Sequence, residues 1–396
     1  MAQPRLPAAI WVLGFVSLLM DVSSEMIHAL LPVYMVTVLG VSAFTVGLIE
    51  GLAEATALIV KVFSGVLSDW WGRRKPLAVL GYGLGAATKP LFAIATGPGL
   101  VFAARIIDRI GKGIRGAPRD ALVAEHAPPG MRGAAFGLRQ SLDTVGAFLG
   151  PTLAIALMLL WAGDYRAVFW VAVVPGALAV LLLVVGVREP AKAPRVAGEG
   201  RRANPISRQQ LARLSAAYWW VVVIGAVFTL ARFSEAFLVL RAQQGGVAAA
   251  WIPLVLIGMN LVYAAAAYPA GKLADRMNHR SLLALGMAVL VAADLALAIG
   301  NTGPWLWAGI ALWGLHLGIT QGLLAAMVAD TVPADLLGTA YGFFNLLSGL
   351  ALLVASAAAG LIWDQLGARS TFVTGAAIAG LALVAATATG WASRRR

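Results

Sequence analysis

Residues 65–75 read GVLSDWWGRRK, and residues 271–281 read GKLADRMNHRS. Gly65 and Gly271, Leu67 and Leu273, Asp69 and Asp275, and Arg74 and Arg280 agree at a constant offset of 206. A second echo follows at an offset of 205. Gly113, Ala124, Gly133 and Gly137 pair with Gly318, Ala329, Gly338 and Gly342, with Glu125 and Asp330 in matching places. Agreement of two separated stretches at nearly one offset marks an internal duplication. The chain then divides into an N-terminal six-helix half at 1–187, a polar linker at 188–216 and a C-terminal six-helix half at 217–396, two parallel repeats joined in the middle.

Composition says what the repeated unit is made of. The 396 residues are 60% hydrophobic and only 12% charged, with mean hydropathy +0.83, far from the make-up of a soluble domain. Apolar runs long enough as helices to cross a hydrocarbon core of about 30 Å recur from end to end. Stretches such as LVFAARII and ALLVASAAAGLI do not alternate, which sets a β-barrel aside. Breaking the chain at its polar punctuation predicts an all-α membrane protein of twelve transmembrane helices. They fall near 8–38, 43–67, 77–96, 98–124, 134–161, 166–187, 217–243, 247–272, 280–300, 304–330, 336–363 and 368–391. The first apolar run continues past Asp21 to Leu39 with no small-residue cleavage pattern and reads as a retained span. With no Cys, disulfide and thiolate chemistry are excluded.

The net charge of +12 is a matter of placement. With both termini cytoplasmic, eighteen basic residues fall on that side, three outside and nine within spans. The bias fits the positive-inside rule, so the excess charge marks orientation in a cell (inner) membrane, with lipid headgroups and not nucleic acid as its partner.

The spans themselves carry charge. In RIIDRIGKGIRGAPRD, residues 105–120, a helix turning roughly 100° per residue puts Arg105, Asp108, Arg109, Lys112, Arg115, Arg119 and Asp120 on one face. One charge at bilayer centre costs about 2.5–3.5 kcal/mol on insertion scales, so this face must line a wet cavity or meet opposite charges. Gly111 to Gly116 spell the G-x-G-x-x-G of nucleotide sites, but no strand-turn-helix unit surrounds them, and close helix packing is the better reading. Asp21, Glu25 and His28 share a face of span 1, Glu50, Glu54 and Lys61 lie on span 2, and Arg139 and Asp143 stand one turn apart on span 5. Arg232 and Glu235 on span 7 and Trp313, His316 and Gln321 on span 10 complete the set.

GxLxDxxGRR between spans 2 and 3, with its weaker copy between spans 8 and 9, resembles the signature loop of the major facilitator superfamily. Arg105, Gly111 and Gly113 are similar to that family's fourth-span motif, with Arg109 where Gly is usual. Gly146 to Pro151 resembles the start of its antiporter motif, with Ala154-Ile155 replacing the closing glycine pair. The resemblance implies that spans 1, 4, 7 and 10 line a central cavity, where Asp21, Glu25, His28, Arg109, Lys112, Arg232, Glu235 and His316 would bind substrate or protons. It also implies a cytoplasmic latch of Asp69, Arg73 and Arg74, repeated weakly by Asp275 and Arg280, which holds one of two conformations.

The function expected is secondary active transport, not catalysis, by alternating access around a midplane site. Lacking any nucleotide motif, it would run on an ion gradient, with protons as coupling ion and no cofactor. An excess of cavity bases favours a small anionic or zwitterionic solute. The alternatives are a proton antiporter exporting cationic or amphipathic drugs and a divalent metal-ion transporter using the Asp-Glu-His face of span 1. A membrane enzyme would need a clustered nucleophile or acid/base pair that does not occur in the sequence, and a flippase would need a lateral apolar gap. The expected assembly is a monomer.

Overall fold

The computed structural model describes residues 6–71, 73–128, 131–189, 213–274, 277–333 and 336–393. Among them the chain is helical throughout: α1 (Ala8–His28), α2 (Leu31–Thr37), α3 (Ala43–Trp71), α4 (Arg74–Ile94), α5 (Pro98–His126), α6 (Arg132–Leu160) and α7 (Tyr165–Gly186), then α8 (Ala216–Ala231), α9 (Ala236–Gln244), α10 (Leu254–Ala274), α11 (His279–Ile299), α12 (Gly303–Asp330), α13 (Leu337–Leu366) and α14 (Ala368–Ser393). The starts follow local chemistry. Asp164 accepts from the Arg166 and Ala167 amides, Ser215 Oγ from the Tyr218 amide and Asn278 Oδ1 from the Arg280 amide, each satisfying donors that a helix start leaves open. Pro32, Pro98 and Pro304 sit in first turns, where a missing N–H costs nothing.

Among the described residues ten helical segments are long and apolar enough to cross a membrane, against the twelve expected. The remaining two expected spans coincide with α14, apolar over Ala368–Val384, and with α5, which is 29 residues long but heavily charged. Two expected spans are also interrupted. Span 1 breaks at Ala29–Leu30, because Pro32 cannot donate to the His28 carbonyl and its ring crowds that group. Span 7 breaks over Arg232–Glu235, where Ser234 leaves the helix register: its amide donates to Ser356 Oγ and its Oγ accepts from the Ala236 amide. Ala29 and Glu235 are themselves 206 apart.

The chain forms two compact units: Met1–Leu39 with Thr56–Arg202, and Gly40–Ala55 with Ala203–Arg396. The linker expected at 188–216 lies mostly outside the described residues. In the first unit α4 packs on α5 and α7, and α1 on α6 and α7; in the second, α12 packs on α10 and α11, and α11 on α14. Matching positions make matching contacts. Gly81 of α4 lies against Arg115 of α5, and Gly286 of α11 against Thr320 of α12, both partners shifted by 205.

The first turns of α3 belong to the second unit, where Asp364 near the end of α13 accepts from the amides of Ala43 (3.0 Å) and Phe44 (2.8 Å). Gly360 and Gly51 allow the approach: a Cβ on Gly360 would stand 2.6 Å from Phe44 Cα and one on Gly51 2.9 Å from Leu353 Cα. Asp364→Ala removes both acceptors and a negative charge from a helix N-terminus, so it is expected to lower stability by about 1 kcal/mol. Thermal melts of the purified protein read the shift, with Asp364→Asn, which keeps one acceptor, falling between.

Candidate functional site

The first unit holds a buried charge cluster built from three helices. Lys89 of α4, with no exposed surface, donates to Asp108 Oδ1 of α5 at 2.8 Å and to Ser24 Oγ of α1 at 3.0 Å. Arg109 Nε stands 3.7 Å from Asp108 Oδ2, and His28 Nε2 of α1 the same distance from it. Arg109 Nη2 donates toward the His28 ring nitrogens at 3.0 and 3.1 Å, Arg105 Nη1 also reaches His28 Nε2, and Glu25 Oε1 lies 3.7 Å from Nδ1. Arg115 lies over the Tyr82 ring at 4.9 Å. Further along α5, Arg119 Nε pairs with Asp120 at 3.1 Å, while Arg139 Nη1 of α6 pairs with Asp143 at 2.6 Å. Buried charges of this kind persist only where paired and hydrogen-bonded.

Lys112 shares that helix face. It is exposed midway along α5, within electrostatic range of half-buried Asp21. Glycines of α6 let α1 come close: a Cβ on Gly146 would lie 3.0 Å from Asp21 Cβ, and one on Gly150 2.8 Å from Glu25 Cβ. The structure thus gathers Asp21, Glu25, His28, Arg109 and Lys112 in one unit. Two guanidinium groups on His28 make that ring a poor seat for a divalent cation, and among the described residues no group of three His, Asp or Glu could hold a metal ion.

Arg232, Glu235 and His316 lie in the second unit. Arg232 and Glu235 occupy the interruption of span 7, with Glu235 exposed and Glu54 of α3 within range of the Arg232 charge. His316 has no exposed surface. Its Nδ1–H donates to the Gly286 carbonyl at 3.2 Å and its ring lies 5.0 Å from that of Phe228. Depth along a helix did not reveal this, because α12 is apolar on every side and offers no polar face to read.

Of the expected latch, Asp275 and the side chain of Asp69 lie outside the described residues. Arg73 is the extended N-cap of α4. Arg74 donates to Ser68 Oγ at 2.7 Å and to Glu125 Oε1 at 3.3 Å, and the amides of Arg74 and Lys75 donate to Glu189. The second unit repeats one element of this: His279 Nδ1 lies 3.5 Å from Asp330, the counterpart of Glu125, beside Arg280. Both pairs are solvent-exposed and contribute little to stability.

Lys89, Arg105 and Asp108 were not among the expected binding residues. A lone Lys in the apolar run GLGAATKPLFAI was the available signal, since an ionisable residue inside a span marks a site by default.

Comparison with known proteins agrees with this architecture. The solved structure of a variant of the nucleoside transporter NupG superposes with TM-score 0.79 at 14% identity, covering 96% of this chain and 99% of its own. The human organic anion transporter MFSD10 gives TM-score 0.63 at 19% identity, covering 97% and 100%. An uncharacterized MFS-type transporter of Methanocaldococcus jannaschii is 33% identical over 381 residues, 93% of this chain and 92% of its own. The family model for the Major Facilitator Superfamily matches residues 13–260 and 237–396. A chain matched over nearly its whole length, with helices duplicated at one offset and charge buried inside them, belongs to the Major Facilitator Superfamily of membrane transporters.

Proposed function

We propose that the chain is a proton-coupled secondary transporter that carries a small anionic or zwitterionic solute by alternating access. One observation carries the reading: the first unit buries Lys89, Arg105, Arg109 and Arg115 beside Asp108, and has Lys112 exposed midway along the same helix. A lysine exposed at mid-span costs too much against acyl chains, so its face meets water or polar groups. Of the two solved transporters compared above, MFSD10 is an organic anion transporter, which is in keeping with the solute class assigned here. Asp21 and Glu25, beside Lys112, are the proton carriers in this reading, and Arg109 and Lys112 hold the anion. Arg232, Glu235 and His316 contribute from the second half. The proposal includes twelve spans in two halves at 1–187 and 217–396, both termini cytoplasmic, a monomer in the inner membrane, and a conformational latch formed by Asp69, Arg73, Arg74, Asp275 and Arg280.

The test is a thermal-shift screen of purified protein against dicarboxylates, nucleotides, amino acids, Mn²⁺ and cationic dyes, since a ligand preferring the native state raises its melting point. Stabilisation by anions or zwitterions, lost in Lys112→Ala, supports the reading. Stabilisation by cations alone overturns it.

A further inference from the structure

The duplication sets Lys89 of α4 against Asp294 of α11, its counterpart at the offset of 205. The two halves treat these positions differently. Lys89 is buried and paired with Asp108, whereas Asp294, equally without exposed surface, has no hydrogen-bond partner for either oxygen among the described residues. The counterparts of Arg105, Asp108, Arg109, Lys112 and Arg115 are Ile310, Trp313, Gly314, Leu317 and Thr320, so α12 offers no opposite charge.

What surrounds Asp294 is aromatic and lies beside irregular backbone. Gly375 of α14 makes room for it: a Cβ there would stand 2.6 Å from Asp294 Oδ2 and 3.1 Å from Phe233 Cε1. Phe233 sits in the interruption of span 7 and packs on Trp313 (5.4 Å between ring centres), Phe237 (5.3 Å) and Phe372 (5.5 Å). Trp313, also fully buried, has an indole N–H without an acceptor among the described residues. Phe233 therefore adjoins both an unmatched acid and an unmatched donor, and it lies on the one irregular stretch of backbone in its span.

The other titratable groups are few. On α12 there are His316, whose Nε2 is likewise unpartnered among the described residues, and Asp330 at the far end. Arg241 of α9 donates to the Leu297 carbonyl, one turn outward from Asp294. Arg232 and Glu235 flank Phe233; α14 brings only Arg369 in its first turn, α10 brings Tyr263, Tyr268 and Lys272, and α11 itself His279 and Arg280 at its start. An ionised carboxylate in such a place is strongly penalised, while the neutral acid is tolerated.

We propose that Asp294 is a proton-binding site: it holds its proton while Phe233 seals it, and releases it when movement of the 232–235 interruption lets the Trp313 indole N–H reach the carboxylate. In the step the carboxyl O–H bond breaks, water takes the proton as hydronium, and the carboxylate gains a hydrogen bond from the indole. This rests on the reading of the chain as a proton-coupled transporter and adds a second proton site to it, in the unit that does not contain Asp21 and Glu25.

Infrared spectroscopy of the full chain in liposomes tests it, through the C=O stretch of protonated carboxyls as pH is stepped. The expected result is a component that fades reversibly as pH rises, is absent in Asp294→Asn, shifts in frequency in Asp294→Glu, and persists to higher pH in Trp313→Phe. The Glu variant serves if the Asn variant fails to fold. An unchanged band in Asp294→Asn, or a component assigned to Asp294 that never titrates, overturns the proposal. The readout needs no solute and no gradient, so it judges Asp294 alone; proton coupling as such stands or falls on gradient-driven accumulation of a solute found in the screen.

Discussion

Asp108→Asn is expected to be the most damaging conservative substitution in the first unit, lowering stability by about 3–5 kcal/mol, the cost of leaving buried charge without its partner. The side chain keeps its size, so packing is not the cause. Asp108 receives Lys89 at 2.8 Å, lies 3.7 Å from Arg109 Nε and from His28 Nε2, and its loss takes away the carboxylate that Lys89 pairs with and a counter-charge beside Arg109. Lys89→Met should cost less, because Arg109 still faces the carboxylate. The double variant should recover part of the loss, since it removes one of the stranded cations along with the acid. Melting curves for the two single variants and the double variant give the coupling between the pair. Additive losses, or an Asp108→Asn protein that melts like the parent, would show that the cluster is open to water and not a closed network.

How far the sequence revealed this cluster depends on how each residue announces itself. Seven charges on α5 share a face by helical geometry, and Arg105, Asp108, Arg109 and Arg115 are buried together as that geometry requires. Periodicity could not say that Lys112, at the centre of the face, would be exposed, because exposure depends on which helix stands opposite. Lys89 and Asp294 are single charges in apolar runs with no period at all. Their partners come from other helices, and only the isolation of each residue marked it. The duplication was visible because glycines at crossings cannot be exchanged: Gly113 and Gly318, which helped to mark it, meet the carbonyl oxygens of Ala57 and Tyr263, themselves 206 apart. Of the two interruptions, the one in span 1 follows from Pro32. The one in span 7 lies in ARFSEAF without a proline, where a serine competing for backbone hydrogen bonds is too common a feature to announce a break.

Gly150→Val is expected to be the second large effect, and to act on function as well as on folding. Gly146 and Gly150 stand one turn apart on α6 and form the seat for α1, the small-residue spacing that lets membrane helices approach. A Cβ at Gly150 would lie 2.8 Å from both Glu25 Cβ and the Val22 carbonyl oxygen, and one at Gly146 2.6 Å from the Leu18 carbonyl oxygen. These neighbours are backbone or first side-chain atoms and cannot swing aside, so α1 must shift as a body. Overpacking of this kind costs about 1–3 kcal/mol, and the unyielding neighbours place Gly150→Val at the upper end. The shift displaces Asp21, Glu25 and His28 relative to the bases of α5, so stabilisation by anions in the thermal-shift screen should vanish even in protein that still folds. Gly137→Ala on the same helix has nothing within 4 Å of the added carbon and should leave both melting and anion response intact. If Gly150→Val keeps its anion response, the acids of α1 take no part in holding the solute, and the bases of α5 alone must do so.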